Sequence, residues 1–306
     1  MPIEEELVLN APLQAFLERP PHLVHFEEKM KLQIKPLGGE DFLNEIEKNK
    51  TLGYVSGQEK EGLFGIEVEL EGQGLPEKIT KYWSTRRDGS LREGKEFVLV
   101  KPLDIEAAKT AIIFLTKALH KQKSEIAFSL RTSVHVHVNL CDFTKAQVNS
   151  FLYLSHIFEE VLVKYSGKSR EGNRFCLRAK DAGEKIEHLL LFIKSEEFRF
   201  FDKNLCKYSA INLSSLGEFG SVEFRSMRGT LDTTVLFPWL EVLKSIKELS
   251  AICSIKDLSR LVKETPRDLF RMVFKQHDSL FEYKELDKGI KDAYLRLIEL
   301  PYVARG

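Results

Sequence analysis

Acidic, imidazole and guanidinium side chains stand two residues apart in three distant segments. These are Gly65-Ile66-Glu67-Val68-Glu69, His135-Val136-His137-Val138-Asn139 and Val222-Glu223-Phe224-Arg225. On a β-strand, period two puts each polar set on one face and Ile66, Val68, Val136, Val138, Val222 and Phe224 on the other. Carboxylates and imidazoles crowded on one sheet surface repel or waste hydration unless a cation sits among them. The chemistry this suggests is a divalent-metal and phosphate site.

Each segment also has a plainer reading. A lone Glu-x-Glu is usually a solvated strand face. Here Gly65 precedes the pair on the same side and leaves room beside it. Glu71 continues the acidic face, with no Lys, Thr or Arg to relieve the repulsion. Magnesium would relieve it, since it takes one or two carboxylates plus substrate phosphates. One buried histidine is commonly a core residue, but His135, His137 and Asn139 together make a shared polar face able to ligate metal or donate to phosphate. Asp88-Gly89-Ser90 reads as a turn. Glu96 points away from Phe97 and Leu99, and so becomes a further carboxylate for the acidic pair. Glu223 and Arg225 could each be half of a cross-strand ion pair. Arg228, Gly229 and Thr230 follow before a helix cap, and Arg174 and Arg178 add guanidinium groups from a loop, a supply suited to phosphate. Cys176 has no feature marking a nucleophile. No Walker A loop, Rossmann glycine pattern or Gly-x-Ser-x-Gly elbow occurs.

The elements that must position these residues follow from periodicity and punctuation. Strands are expected at Leu63 to Leu70, Lys78 to Trp83, Glu96 to Val100, Ser129 to Leu140, Lys207 to Leu213 and Ser221 to Met227. Asp104 caps a helix to about Gln122. A second helix is expected from Thr144 to Tyr165, closed by Gly167, and Asp232 caps a third to about Ser250. The reading is α+β: a curved, mostly antiparallel sheet with helices over its apolar face and an open polar face. Residues 1–60 read as an N-terminal extension, with a short helix at Asp41 to Lys48. Residues 61–250 read as the main domain, which carries all of these segments, and 251–306 as a helical C-terminal segment broken near Pro266 and Pro301.

With 306 residues, 43% hydrophobic and 30% charged, the chain suits a globular domain with a sizeable core. Its 46 basic and 46 acidic residues balance, so no nucleic-acid surface is expected. Glutamates rather than lysines follow Met1, no run of eighteen apolar residues occurs, and the cysteines lack Cys-x-x-Cys spacing. A cytoplasmic protein without a membrane span is expected.

The order of the segments resembles the amidoligase family, carboxylate–amine ligases related to glutamine synthetase and glutamate–cysteine ligase. The resemblance runs from Gly65–Glu69 through Asp88-Gly89-Ser90-Leu91, Glu96-Phe97-Val98 and Ser133–Asn139. It continues through Asn173-Arg174-Phe175-Cys176 and Lys207–Asn212 to Val222–Arg225 and Arg228–Asp232. It implies a glutamine synthetase-like half-barrel holding ATP and two or three Mg²⁺ ions, with Mn²⁺ as a substitute. Glu67 and Glu69 would serve different metals; Glu96 and Asp88 would complete one, His135 and Glu223 the other. His137 and Asn139 would lie nearer nucleotide or phosphate, with Lys207 and Asn212 as secondary contacts. Arg174, Arg225 and Arg228 would bind the substrate carboxylate and the transferring phosphoryl group. Glu93 competes with Asp88 and Glu96 as a ligand. The implied activity is ATP-dependent amide or isopeptide formation through an acyl phosphate. The carboxylate substrate and amine acceptor would be a small molecule, peptide or protein, and the ligase an oligomer or a monomer. The alternatives are a phosphotransferase of the same fold and a non-catalytic interaction protein that retains it.

Overall fold

The computed structural model describes residues 50–53, 61–79, 81–181, 189, 193 and 207–281. Within them the architecture is α+β, an open antiparallel sheet of seven strands with seven α-helices. The strands are β1 (Phe64–Gln73), β2 (Trp83–Arg86), β3 (Gly94–Leu99), β4 (Glu125–Ala127), β5 (Val134–Asn139), β6 (Ile211–Asn212) and β7 (Ser221–Phe224). Their order across the sheet is β2-β3-β1-β5-β7-β6, and β4 extends the pairing of β1 beyond the end of β5.

Alternation decides which way each strand faces. Phe64, Ile66, Val68 and Leu70 of β1 are fully buried, as are Val134, Val136 and Val138 of β5 and Val222 and Phe224 of β7. Burying each such side chain contributes roughly 1.5–3 kcal/mol. This apolar face is covered by α1 (Ile105–Lys121), α2 (Lys145–Ile157) and α5 (Thr233–Ile252). The Phe224 ring meets Phe151 of α2 and Trp239 of α5 edge to face. Trp83 of β2 donates its indole N–H to the Ala111 carbonyl at 2.9 Å, which pins α1 to that edge.

Caps set the helix starts. Asp104 accepts from Ala107 N, Thr144 forms a reciprocal capping box with Gln147, and Asp232 accepts from Thr234 N. The helix expected from Thr144 to Tyr165 is two, α2 and α3 (Glu159–Tyr165), interrupted at Phe158. A short helix, α4 (Ser215–Phe219), was not legible in advance. Gly220 ends it in the left-handed conformation, φ 64°, and turns the chain directly into β7. The C-terminal segment continues as α6 (Ile255–Glu264) and α7 (Pro266–Phe274), with the break at Pro266 as expected, and α7 packs against α5.

Several strand boundaries differ from expectation: β1 runs on to Gln73 and β3 starts already at Gly94. The strand expected at Lys78 to Trp83 begins only at Trp83, because its pairing register with β3 starts at Trp83 opposite Leu99. The run expected from Ser129 is a loop until Val134, where Thr132 turns back to hydrogen-bond Ser129. The run expected from Lys207 is reduced to Ile211–Asn212. The last strand stops at Phe224 rather than Met227, because the backbone bulges there. The extension expected over residues 1–60, with its short helix, lies outside the described residues except at 50–53, as does the break expected near Pro301. No helix among the described residues is long and apolar enough to cross a membrane.

Candidate metal and phosphate site

Register brings the distant segments into one patch. Glu67 of β1 lies opposite Val98 of β3 on one side and His135 of β5 on the other. Glu69 lies opposite Glu96, Gly65 opposite His137, and His137 opposite Glu223, which in turn faces Asn212. All these side chains therefore leave the sheet on the face away from the helices. Gly65 does not leave a void for a ligand. A Cβ there would sit 3.3 Å from the Cβ of His137, so the glycine makes room for that imidazole.

The polar atoms form three overlapping groups whose donors lie within 4.8 Å of one another: Glu67–His137–Glu223, Glu67–Glu96–His135 and Glu69–Asp88–Glu96. Glu67 and Glu96 each belong to two groups. His135 Nδ1 lies 3.3 Å from a Glu67 oxygen and 3.4 Å from Glu223, while His137 Nε2 lies 3.5 Å from the other Glu67 oxygen. His137 thus stands among potential ligands rather than outside them. Glu93 joins none of these groups, and its backbone has φ 48°.

The charges respond to this crowding. Burial pushes the Glu96 carboxyl up to about 8, and the charges of Glu67, Glu69 and Asp88 push the same way. Burial would raise Glu67 as well, but the imidazoles of His135 and His137 outweigh it and hold it well below the usual carboxylate range. Burial likewise opposes the ionised Glu223, and the Arg225 guanidinium and both imidazoles prevail to lower it. Burial disfavours the charged His137 ring, yet Glu67 and Glu223 raise its pKa overall.

A backbone irregularity follows Phe224 at the edge of this patch. Val136 opposes Phe224, and Ser133 opposes Arg228, so three steps from Val136 back to Ser133 match four from Phe224 on to Arg228. One extra residue is inserted, a β-bulge that re-aims the side chain beside it. Arg225 Nη1 donates to Glu223 at 2.5 Å, and Asn212 donates to the other Glu223 oxygen at 2.7 Å. The bulge frees two carbonyls, and Arg170, 1% exposed, takes both: Nη2 donates to Arg225 O at 2.7 Å and Nε to Ser226 O at 3.0 Å. Sequence reasoning missed Arg170. Its only signal was a position in a charged loop, between Ser169 and Glu171, which looks like solvent-facing charge. Ser133 and Ser221 were missed as contacts too, although Ser133 opens one motif and Ser221 precedes another. Ser133 Oγ lies 2.7 Å from His135 Nε2, and Ser221 Oγ 3.1 Å from His137 Nδ1.

The other expected site residues make different contacts. The Asn139 amide donates to Gly62 O and accepts from Cys141 N, which ties the end of β5 to neighbouring backbone. Arg228 donates to the Tyr165 and Ser166 carbonyls, closing the C-terminus of α3. Arg174 is exposed and lies over the Phe175 ring, and Lys207 lies over the Tyr208 ring. Those two rings touch edge to face, so the cations share one aromatic rim. Tyr208 precedes Ala210 by two residues, and the Ala210 carbonyl accepts from Arg225 N, which places the rim at the Arg225 end of the patch. Asp88 accepts from Ser90 N and Oγ in its turn while presenting an oxygen to Glu69 and Glu96. Burial raises the Cys176 thiol, as suits a core residue rather than a nucleophile.

The chain matches no protein-family model and no curated protein. The residues themselves must carry the functional argument.

Proposed function

We propose that the protein is an ATP- and Mg²⁺-dependent carboxylate–amine ligase on a glutamine synthetase-like scaffold, forming an amide or isopeptide bond through an acyl phosphate. The observation that carries this reading is the run of three donor groups sharing Glu67 and Glu96. A single structural ion needs one group. A row of adjoining groups suits several ions spaced along a polyphosphate.

The donor set fits magnesium. Oxygen donors from Glu67, Glu69, Asp88, Glu96 and Glu223 predominate, and the imidazoles of His135 and His137 would also admit Mn²⁺. The raised pKa of Glu96 fits too, because burial first and then the charges of Glu67, Glu69 and Asp88 disfavour its ionised form, and a bound cation would favour it. Bound there, Mg²⁺ would neutralise phosphate charge and favour in-line phosphoryl transfer.

The chain's own residues supply the remainder. Arg225 has a guanidinium fixed by the bulge and by Glu223, and it offsets negative charge that builds on a transferring phosphoryl group. Asn212 and Arg225 hold Glu223 from opposite sides, so that carboxylate keeps its direction. Arg174 and Lys207, set over aromatic rings, offer cations to a carboxylate substrate arriving at the rim.

The test is mass spectrometry of a library of acids and amines incubated with Mg·ATP. A ligase releases ADP and phosphate only when both an acid and an amine are present, and its product has lost water on coupling. A stable phosphorylated product without an amide would select the phosphotransferase reading instead. Absence of nucleotide binding at millimolar Mg·ATP would reject both.

A further inference from the structure

Ser133 lies between two of the donor groups and belongs to neither. Its Oγ is 2.5 Å from Glu69 Oε2 and 2.7 Å from His135 Nε2, and Ser133, Glu69 and His135 are all buried. A hydroxyl has one proton to give. The hydroxyl donates to Glu69, so that proton belongs to the bond with Glu69. The oxygen lone pair facing His135 must then receive a proton, and Nε2 must carry it. This leaves Nδ1 facing Glu67 Oε2 at 3.3 Å and Glu223 Oε1 at 3.4 Å.

We propose that Ser133 is the positioning residue of this site: it fixes the proton of His135 on Nε2 and so commits Nδ1 to the cation held with Glu67 and Glu96. The inference rests on the metal-dependent reading above and deepens it. A free imidazole can present either nitrogen, and a neutral ring protonated on Nδ1 would turn a donor toward the place a cation must occupy. The partner on the far nitrogen decides between the tautomers. Ser133 does this while also orienting Glu69, a ligand of the neighbouring group, so one hydroxyl sets the ligands of two adjoining positions. Neither bond is the geometry of a nucleophilic serine, because the hydroxyl is buried and already donates to a carboxylate.

Two measurements on the full chain test this. The first is two-dimensional ¹⁵N–¹H NMR of histidine-labelled protein, with His135 assigned through His135→Gln. The expected result is a proton on Nε2 both with and without Mg²⁺, and a shift of Nδ1 when Mg²⁺ is added. A wild-type ring with Nε2 bare would overturn the proposal even if no variant folds. The second is Mn²⁺ titration. Ser133→Ala should bind about 10- to 100-fold more weakly, the usual cost of losing such a partner, and Ser133→Thr, which keeps the hydroxyl, should recover most of that loss. If wild type binds Mn²⁺ and Ser133→Ala binds it equally well, Ser133 has no positioning role and the metal reading stands. Should wild type bind no Mn²⁺, the metal reading falls and takes this inference with it.

Discussion

Replacing Glu67 by Gln removes one negative charge and almost no volume from a position shared by two of the donor groups. In the folded protein without metal, two effects oppose. The carboxylate loses a charge-assisted contact with His137, about 1.5–3 kcal/mol. Against that, its charge no longer repels Glu96 and Glu223. The opposing contributions are of similar size, so the stability change should stay within about 1.5 kcal/mol. Metal binding has no such compensation. Two unit charges about 4 Å apart interact by roughly 4 kcal/mol at an effective dielectric of 20, and the ion carries two charges beside a residue common to two groups. Affinity should fall at least ~100-fold, equivalent to about 2.7 kcal/mol. The assay pairs Mn²⁺ titration with chemical denaturation of both proteins. The Glu96 carboxyl, followed by ¹³C NMR, should also titrate below its wild-type value of about 8, because Glu67 is the largest charge acting on it. Unchanged Mn²⁺ affinity, or a loss of affinity that merely tracks unfolding, would refute the assigned role.

Glu159 tests burial without metal. Its carboxyl is pushed up to about 8 by burial, from 4.5 in the unfolded chain, so between those values the folded state holds a proton that the unfolded state has released. Its contribution to stability is therefore complete below about pH 4.5 and declines by ~1.4 kcal/mol per pH unit as pH rises toward 8. Glu159→Gln should flatten that slope in urea melts recorded across this window, and an unaltered slope would show that Glu159 is not the group responsible. Arg170→Lys removes the fork that holds the two carbonyls of the bulge; it should cost about 2–3 kcal/mol by denaturation, and a neutral effect would mean that the bulge holds itself. Asp232→Ala removes the cap of α5 and should cost about 1 kcal/mol, read as a lowered denaturation midpoint.

Much of the patch was legible because side-chain direction on a strand depends only on sequence parity. Glu67 and Glu69 had to share a face, as did His135 and His137, and Glu96 could be assigned to its side from Phe97 and Leu99. Register was not legible. Nothing local says that Glu67 meets His135 or that Gly65 meets His137, since those pairings depend on distant turns and on packing of the opposite face. The bulge after Phe224 was hidden for the same reason: an inserted residue exists only relative to a partner strand. Arg170 was therefore invisible too, because its burial follows from carbonyls that only the bulge frees. Asn139 and Arg228 show the converse. Both were assigned by their motifs, yet the structure brings each to nearby backbone groups, work that an amide and a guanidinium do as readily as ligand binding. The helix boundary at Phe158 was missed because the apolar stripe runs on through it, with no glycine or proline to mark the interruption.

The most direct test is crystallographic: grow the protein with Mn²⁺ and a non-hydrolysable ATP analogue, and collect data at the manganese absorption edge. The account predicts two or three anomalous peaks, at least one of them within coordination distance of Glu67, with phosphate oxygens completing the shells. Phosphates seated elsewhere, and no anomalous density beside Glu67, Glu96 or His135, would contradict it.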